Sequence, residues 1–594
     1  MLTTNMTRLG DFDQIAGEDY RAEWLPNSHQ AVLDYLRWAL ERLRELWRDH
    51  PDLRARIETI VAADLRTLID FELLDVVKDF VREVVKERGH WPEATKGIGD
   101  WLYFDAPAEE DAVAKAMRAL YKATLPTDPV DRALLYSRFW AADLHDPAKR
   151  YNPDDLDFEY SARQAQALAP GIARDPAQLT RVITVMATEE LNSPWPFAQA
   201  LAEHVGDPLG SFAEAAAALD ASGNRAGINF VRALLAAFDR RLADDQARNK
   251  ELVDIAESSI ILSERPMDIY SALRMTNDRV ERIAEQVREQ KVEVSAVAPI
   301  SYGQALANVP VEQLAILIEA LVERSEDGGA WAAIEILTMI THGRSVIDAD
   351  VAALCRKALL APSIADGVSG NMTLAEYGFD RLIKLLGTSG AIDGPFGTHF
   401  GQLIERACRS VGGYHDRPTD ALRSALAVVV KYAALEVWAT LAGFYEAATP
   451  AERERLGTIT ATTKTFASNN ADRTGPGPLF NTPTQTILDW VADDPDNRIG
   501  FPLSFYPILA SVGEGWTWHP AVQRLADLYG GMKAFRADLA ARILPGSYSG
   551  SLEEHLTRFL APLAAWATHP KLGQWATTVL GDLQSWLADE TRRR

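Results

Sequence analysis

The stretch WTWHPAVQRLADLYGG, residues 516–531, is echoed by WATHPKLGQWATTVLG, residues 566–581. Both open on a tryptophan, pass through His-Pro and continue with apolar side chains at helical spacing. Aligned, His519 meets His569, Pro520 meets Pro570, Val522 meets Leu572, Leu525 meets Trp575, Ala526 meets Ala576 and Tyr529 meets Val579. The apolar offsets are i, i+3, i+4 and i+7, one face of a helix. Proline suits a first helical turn, where its missing N–H would bond nothing, and the residue before it is held outside the helix as a cap. HPDLRARI, from His50, repeats the opening with Leu53, Arg54 and Ile57 at the same offsets. The paired histidines are therefore read as caps, since a zinc site would need further ligands at short spacing. Val522, Leu525, Leu572 and Trp575 are expected in the core on equivalent faces of two stacked helices.

The same periodicity runs outward through the chain. Leu33, Leu36, Leu40, Leu43 and Trp47 mark one helical face; Ile57, Ile60, Val61, Leu65 and Leu68 mark a second, and Val76, Val77, Phe80, Val81 and Val84 a third. Further stripes start at Asp111, Asn224, Thr276, Val311, Ala330 and Leu374, with short Gly-, Pro- and Asp-rich breaks between them. Sequential helices with one apolar face each bury it by packing antiparallel. Period-two alternation is scarce, and QKVEVSAV at 290–297 is the best strand candidate. Two interruptions lack a stripe: the Thr-, Asn- and Gly-rich 458–485, a loop or linker, and the shorter 387–401.

The unit helix, turn, His-Pro, helix resembles HEAT-type repeats, whose second helix commonly opens on a short residue plus proline. HPAVQRLADL and HPKLGQWATTVL carry the resemblance most clearly, with Ser551 and Glu554 in a capping-box pattern on the intervening helix. The resemblance implies an all-α chain: an α-solenoid of antiparallel helical pairs with no substantial sheet. The divisions are 1–110, an N-terminal helical bundle; 111–300, a helical repeat region; 301–457, a central repeat region; the 458–485 loop or linker; and 486–594, HEAT-like C-terminal repeats. The tail, with LPGSYSGS and the last His-Pro helix, is also similar to the helical C-terminal region of large bacterial anti-phage defence proteins. That likeness implies a protein partner such as an NTPase or nuclease effector.

Composition narrows the chemistry. The 594 residues hold 61 basic and 84 acidic side chains, a formal charge of −23. A field of that sign repels phosphate backbones and argues against general nucleic-acid binding. Cys355 and Cys408 are too few for a disulfide scaffold. The start of the chain has neither the basic nor the apolar region of a signal peptide. The most membrane-like run, 425–445, is interrupted by Lys431 and Glu436, each costly at a bilayer centre. A buried helix, no membrane and a cytoplasmic location are expected.

No phosphate loop, dinucleotide fingerprint, H-E-x-x-H or pair of C-x-x-C occurs, so no cofactor or metal is expected. The Gly-Ser turns at 367, 387 and 546 have the wrong spacing for a serine-hydrolase elbow. The acidic run from Asp493 lacks the closing glutamate of a calcium loop. One enzymatic pattern remains, the Arg-then-His spacing of helical HEPN-type ribonucleases. It occurs at Arg44 with His50, at Arg138 with His145, and at Arg409 with His415, the last pair ending a helix at a glycine turn. The 15 tryptophans are expected mostly in the core, an exposed few serving as binding anchors. The leading expectation is a non-enzymatic scaffold or sensor that binds a protein partner. The alternatives are a HEPN-like ribonuclease using Arg409 and His415, or the regulatory repeats of an NTPase complex.

Overall fold

The computed structural model describes residues 29–593 except 71–72, 108–110, 155–156, 325–326, 367–371, 411–418, 462–475, 514 and 545–551. Of the described residues 76% are helical, in 29 helices, beside a single two-stranded sheet. The all-α expectation holds.

Helix starts follow a rule visible in the sequence, a short polar residue before proline. Asp128, Asp175 and Asp207 precede Pro129, Pro176 and Pro208, and each carboxylate accepts backbone N–H bonds from the turn that follows. Those N–H groups have no partner within the helix, so the cap satisfies them. Thr449 does the same before Pro450, with Glu452 completing a capping box. His519 is a variant of this cap: its Nδ1 accepts the Ala521 N–H at 3.2 Å ahead of helix Pro520–Tyr529.

His569 makes the same bond, from the Lys571 N–H at 3.2 Å. The helix there, however, is Gly573–Arg593, so Pro570 and Leu572 lie in the turn before it. His50 makes no cap bond and heads the 3-10 turn Pro51–Leu53. The later start changes the buried stripe to Leu572, Ala576, Val579 and Leu583. Trp575 lies one residue before Ala576, about 100° round the helix, and is half-buried. Its expected place in the core is therefore wrong, whereas Val522, Leu525 and Leu572 are buried.

The residues before His519 are a strand. β1 (Leu509–Val512) and β2 (Gly515–Trp518) pair antiparallel, with Leu509 opposite Trp518. The strand expected at 290–297 does not form. Gln290 turns the chain at φ 60° and Val294–Ala296 is a 3-10 turn. Val292, Val294 and Val297 are buried, and that turn packs on helix Gly329–Ile340. Alternating valines here plug a helical core.

The chain divides into two compact units, Met1–Arg274 and Met275–Arg594, a boundary inside the 111–300 stretch. Within each, helices pack on near neighbours in sequence, often the next but one. In the first unit Arg54–Asp70 packs on Pro92–Phe104, Leu74–Arg88 on Ala112–Thr124, and Tyr160–Arg174 on Trp195–His204. In the second, Val311–Glu323 packs on Ala349–Leu359, and Met372–Thr388 on Thr419–Ala447. Side-chain bonds repeat this interval. Arg66 reaches Asp105 across 39 positions, Arg324 the Val287 carbonyl across 37, Arg406 Asp366 across 40, and His569 Asp527 across 42. Arg324 bonds a carbonyl in the last turn of helix Asn277–Arg288, where acceptors lack intrahelical partners.

Helix Thr419–Ala447 contains the run read as membrane-like. By length and composition it is the one described helix that could cross a membrane, but half of its apolar window is buried and Ala433 breaks it at φ −138°. Glycines let Gly394–Arg409 approach it closely. A Cβ at Gly397 would lie 2.6 Å from the Ala433 Cβ, and one at Gly401 2.8 Å from the Thr440 Cβ. Gly397→Leu is accordingly expected to lower stability by about 1–3 kcal/mol through overpacking, read as a lower urea midpoint at unchanged slope. Half of the 458–485 loop, residues 462–475, lies outside the described residues. Its ends meet: the Gly477 N–H donates to the Phe505 carbonyl at 2.8 Å, and a Cβ at Gly477 would lie 2.4 Å from the Thr460 oxygen.

Candidate functional site

The three Arg–His pairs part company in the structure. Arg409 ends helix Gly394–Arg409, where its guanidinium pairs with Glu405 at 2.6 Å and lies 5.2 Å over the Phe444 ring. His415 lies outside the described residues. Arg44 makes two bonds to Glu83, at 2.9 and 2.6 Å, while His50 heads its 3-10 turn. Arg138 reaches Glu93 at 3.2 Å and Glu189 at 3.3 Å, whereas His145 faces Asp100 with 3.6 Å between Nε2 and Oδ1. Glu93 and Asp100 sit two turns apart on helix Pro92–Phe104, about 10 Å along its axis. Arg138 and His145 therefore serve different places.

Among the described residues no group of three or more His, Cys, Asp or Glu is placed to hold a metal ion. Both cysteines are buried, and burial pushes the Cys355 thiol up to about 12, so it is not a thiolate nucleophile. A cavity of about 290 Å³ is bordered by Arg88, His90, Glu93, Asp131 and Arg138. Its charges are already matched: Arg88 bonds Glu58, Arg138 bonds Glu93 and Glu189, and Asp131 bonds Arg181. It is a salt-bridged seam without a free charge to draw an ion.

The most distinctive surface lies where the long 139–159 segment folds over the end of helix Pro92–Phe104. Among its described residues this segment holds one short 3-10 turn, Ala141–Asp143, and no α-helix. Its path is fixed at several points. The Tyr151 N–H donates to the Tyr103 carbonyl at 2.7 Å, and Arg118 Nε donates to the Pro147 carbonyl at 3.1 Å. Asp157 accepts from Lys149 at 2.9 Å and from Arg163 at 2.6 Å; these cations hold its carboxyl well below the usual carboxylate range. His145 stacks on Tyr103 with 4.1 Å between centroids. Burial pushes His145 down and Asp100 up, the latter against the pull of Lys96 at 2.8 Å. The imidazole is 8% exposed and thus neutral and shielded near pH 7, suited to pinning the loop rather than to proton transfer with an outside substrate.

On this support sits a ledge of rings. Phe104 meets Tyr103 and His145 edge-on at 4.9 and 5.1 Å, and Tyr151 at a 38° tilt at 5.4 Å. Arg66 lies 5.1 Å from the Phe104 centroid. Phe104 is 40% exposed and Tyr151 50%, and the same loop carries Trp140 at 62% and Phe158 at 54%. Loops on a rigid scaffold carry binding residues more often than the elements they connect, and aromatics are enriched among interface anchors. The sequence reading missed this ledge because Phe104 and Tyr151 are distant in the chain. The available signal was a stretch rich in Asp, Pro and aromatics without a helical stripe.

Comparison of the chain with family models, with curated proteins and with solved structures finds no match.

Proposed function

We propose that the chain is a non-enzymatic helical-repeat protein that docks a protein partner on the Phe104–Tyr151 ledge. The observation that carries this reading is the exposure of Phe104, Trp140, Tyr151 and Phe158 around one anchored loop. The repeat architecture is supported by the recurrence of inter-helix bonds at intervals near 40 residues, the length of HEAT-type units. Near-neighbour packing within each unit is what a helical-repeat reading requires. The setting implied by the resemblance of the tail is anti-phage defence, with an effector as the partner and the repeats as its scaffold or sensor.

The test is association in the native host, comparing Tyr151→Ala combined with Trp140→Ala against Arg409→Ala combined with His415→Ala. The ledge variant is expected to lose about 2 kcal/mol or more of binding, as for exposed aromatic anchors. The Arg–His variant is expected to leave association and phenotype intact. If the Arg–His variant abolishes the phenotype while the partner still binds, a ribonuclease replaces the scaffold.

A further inference from the structure

We infer that His145 is an acid-released pin: protonation of its imidazole frees residues 139–154 from the end of helix Pro92–Phe104. Of residues 139–154 only Leu144 and His145 are buried, so half of what anchors this stretch in the core is a titratable ring. The imidazole lies parallel to Tyr103 with 4.1 Å between centroids and meets Phe104 edge-on at 5.1 Å. Asp100 and Lys96 act on it from helix Pro92–Phe104, and Asp143 from its own segment. Asp100 Oδ1 stands 3.6 Å from Nε2, too far for a hydrogen bond, and its carboxylate is engaged by Lys96 at 2.8 Å. Arg118, on helix Ala112–Thr124, is turned to the Pro147 carbonyl at 3.1 Å. An imidazolium here would leave water without a hydrogen-bonded counter-charge. Burial therefore outweighs the pull of Asp100 and Asp143 and holds the ring below its usual value.

The sign follows from that direction. A released imidazole titrates at its ordinary value of about 6.5. Above that value both states are neutral and closure is at full strength. As pH falls below it, the released loop takes up the proton first, and closure weakens until the pinned ring titrates too. An ordinary value of about 6.5 on release caps the change at about tenfold in the closing equilibrium by pH 5.5. Burial pushes Asp100 up as well, which favours the closed loop only as that carboxyl takes its own proton. Asp64 changes near pH 6 with the opposite sign, so the loop has to be read locally rather than through global unfolding. Release parts Tyr151 from Phe104 and takes the ledge apart, but the pin itself needs no partner.

The experiment is hydrogen exchange of the full chain, read by mass spectrometry and corrected for the intrinsic pH dependence of exchange. Peptides covering 139–154 are expected to lose protection between about pH 7.5 and 5.5, by up to about tenfold, while helix Pro92–Phe104 keeps its own. His145→Phe, which leaves an aromatic ring against Tyr103, is expected to abolish that loss. Asp100→Asn, which removes a counter-charge, is expected to enlarge it. Histidine-ring NMR gives a second readout: the resonance missing from His145→Phe or His145→Gln is expected to titrate below 6.5 in the wild type. Level protection of 139–154 across this range would overturn the inference. So would the same loss in His145→Phe, or a His145 titration at or above 6.5.

Discussion

Trp566→Ala is expected to lower the unfolding free energy by about 3–5 kcal/mol, the range for a large aromatic removed from a core. Trp566 is 3% exposed and lies parallel to Trp518, 3.8 Å between centroids at an interplanar angle of 12°. Its Nε1 donates to the Gln523 side chain at 2.6 Å, and Trp518 Nε1 donates to the Pro562 carbonyl at 2.8 Å. One ring thus joins the hairpin, helix Pro520–Tyr529 and helix Leu552–Trp566. Its removal opens a cavity, unstacks Trp518 and strips a donor from Gln523. Half-buried Trp575 makes the control, with an expected loss of about 1 kcal/mol, since it leaves less void. Urea unfolding of the three proteins decides the matter. Equal losses at 566 and 575 would mean that the later helix start at Gly573 does not set the buried face.

Asp64→Asn is expected to raise stability at pH 8 by roughly 3 kcal/mol relative to wild type, and to leave it unchanged at pH 4. Asp64 is 2% exposed on helix Arg54–Asp70, and neither carboxylate oxygen has a hydrogen-bond partner. Burial alone pushes its carboxyl from 3.8 up to about 6. A raised folded-state value means that the native protein binds the proton more tightly than the unfolded chain. The resulting stabilisation is complete below pH 3.8 and is lost as pH rises through about 6. A displacement of about two units corresponds to roughly 3 kcal/mol. Asparagine carries no charge, so its stability should lack this pH dependence. A wild-type curve that is flat against the variant between pH 4 and 8 would show that the carboxyl is paired or hydrated.

Much of the helical fold could be read from local chemistry. The rule that a cap residue precedes a helix-opening proline, read from His-Pro, holds also at Asp128, Asp175, Asp207 and Thr449, because capping and the fixed φ of proline act within a few residues. The His-Pro caps followed the same logic at His519 and His569, although only the first begins its helix at the proline. What could not be read depended on distant contacts. GWTW at 515–518 becomes a strand because it pairs with Leu509–Val512 and packs Trp518 on Trp566; four residues carry no period of their own. QKVEVSAV alternates like a strand but has no partner strand, so its valines enter the helical core. The ledge was hidden for the same reason, since Tyr103 and Phe104 meet His145 and Tyr151 only after the loop folds back.

The most direct test of the ledge as a docking surface is site-specific photo-crosslinking in the native host. A photoreactive residue is placed at Tyr151, at Trp140, or at exposed Trp586 as control. One protein is expected to crosslink from 151 and 140 and not from 586. Crosslinking at 151 and 140 no stronger than at 586 would contradict it.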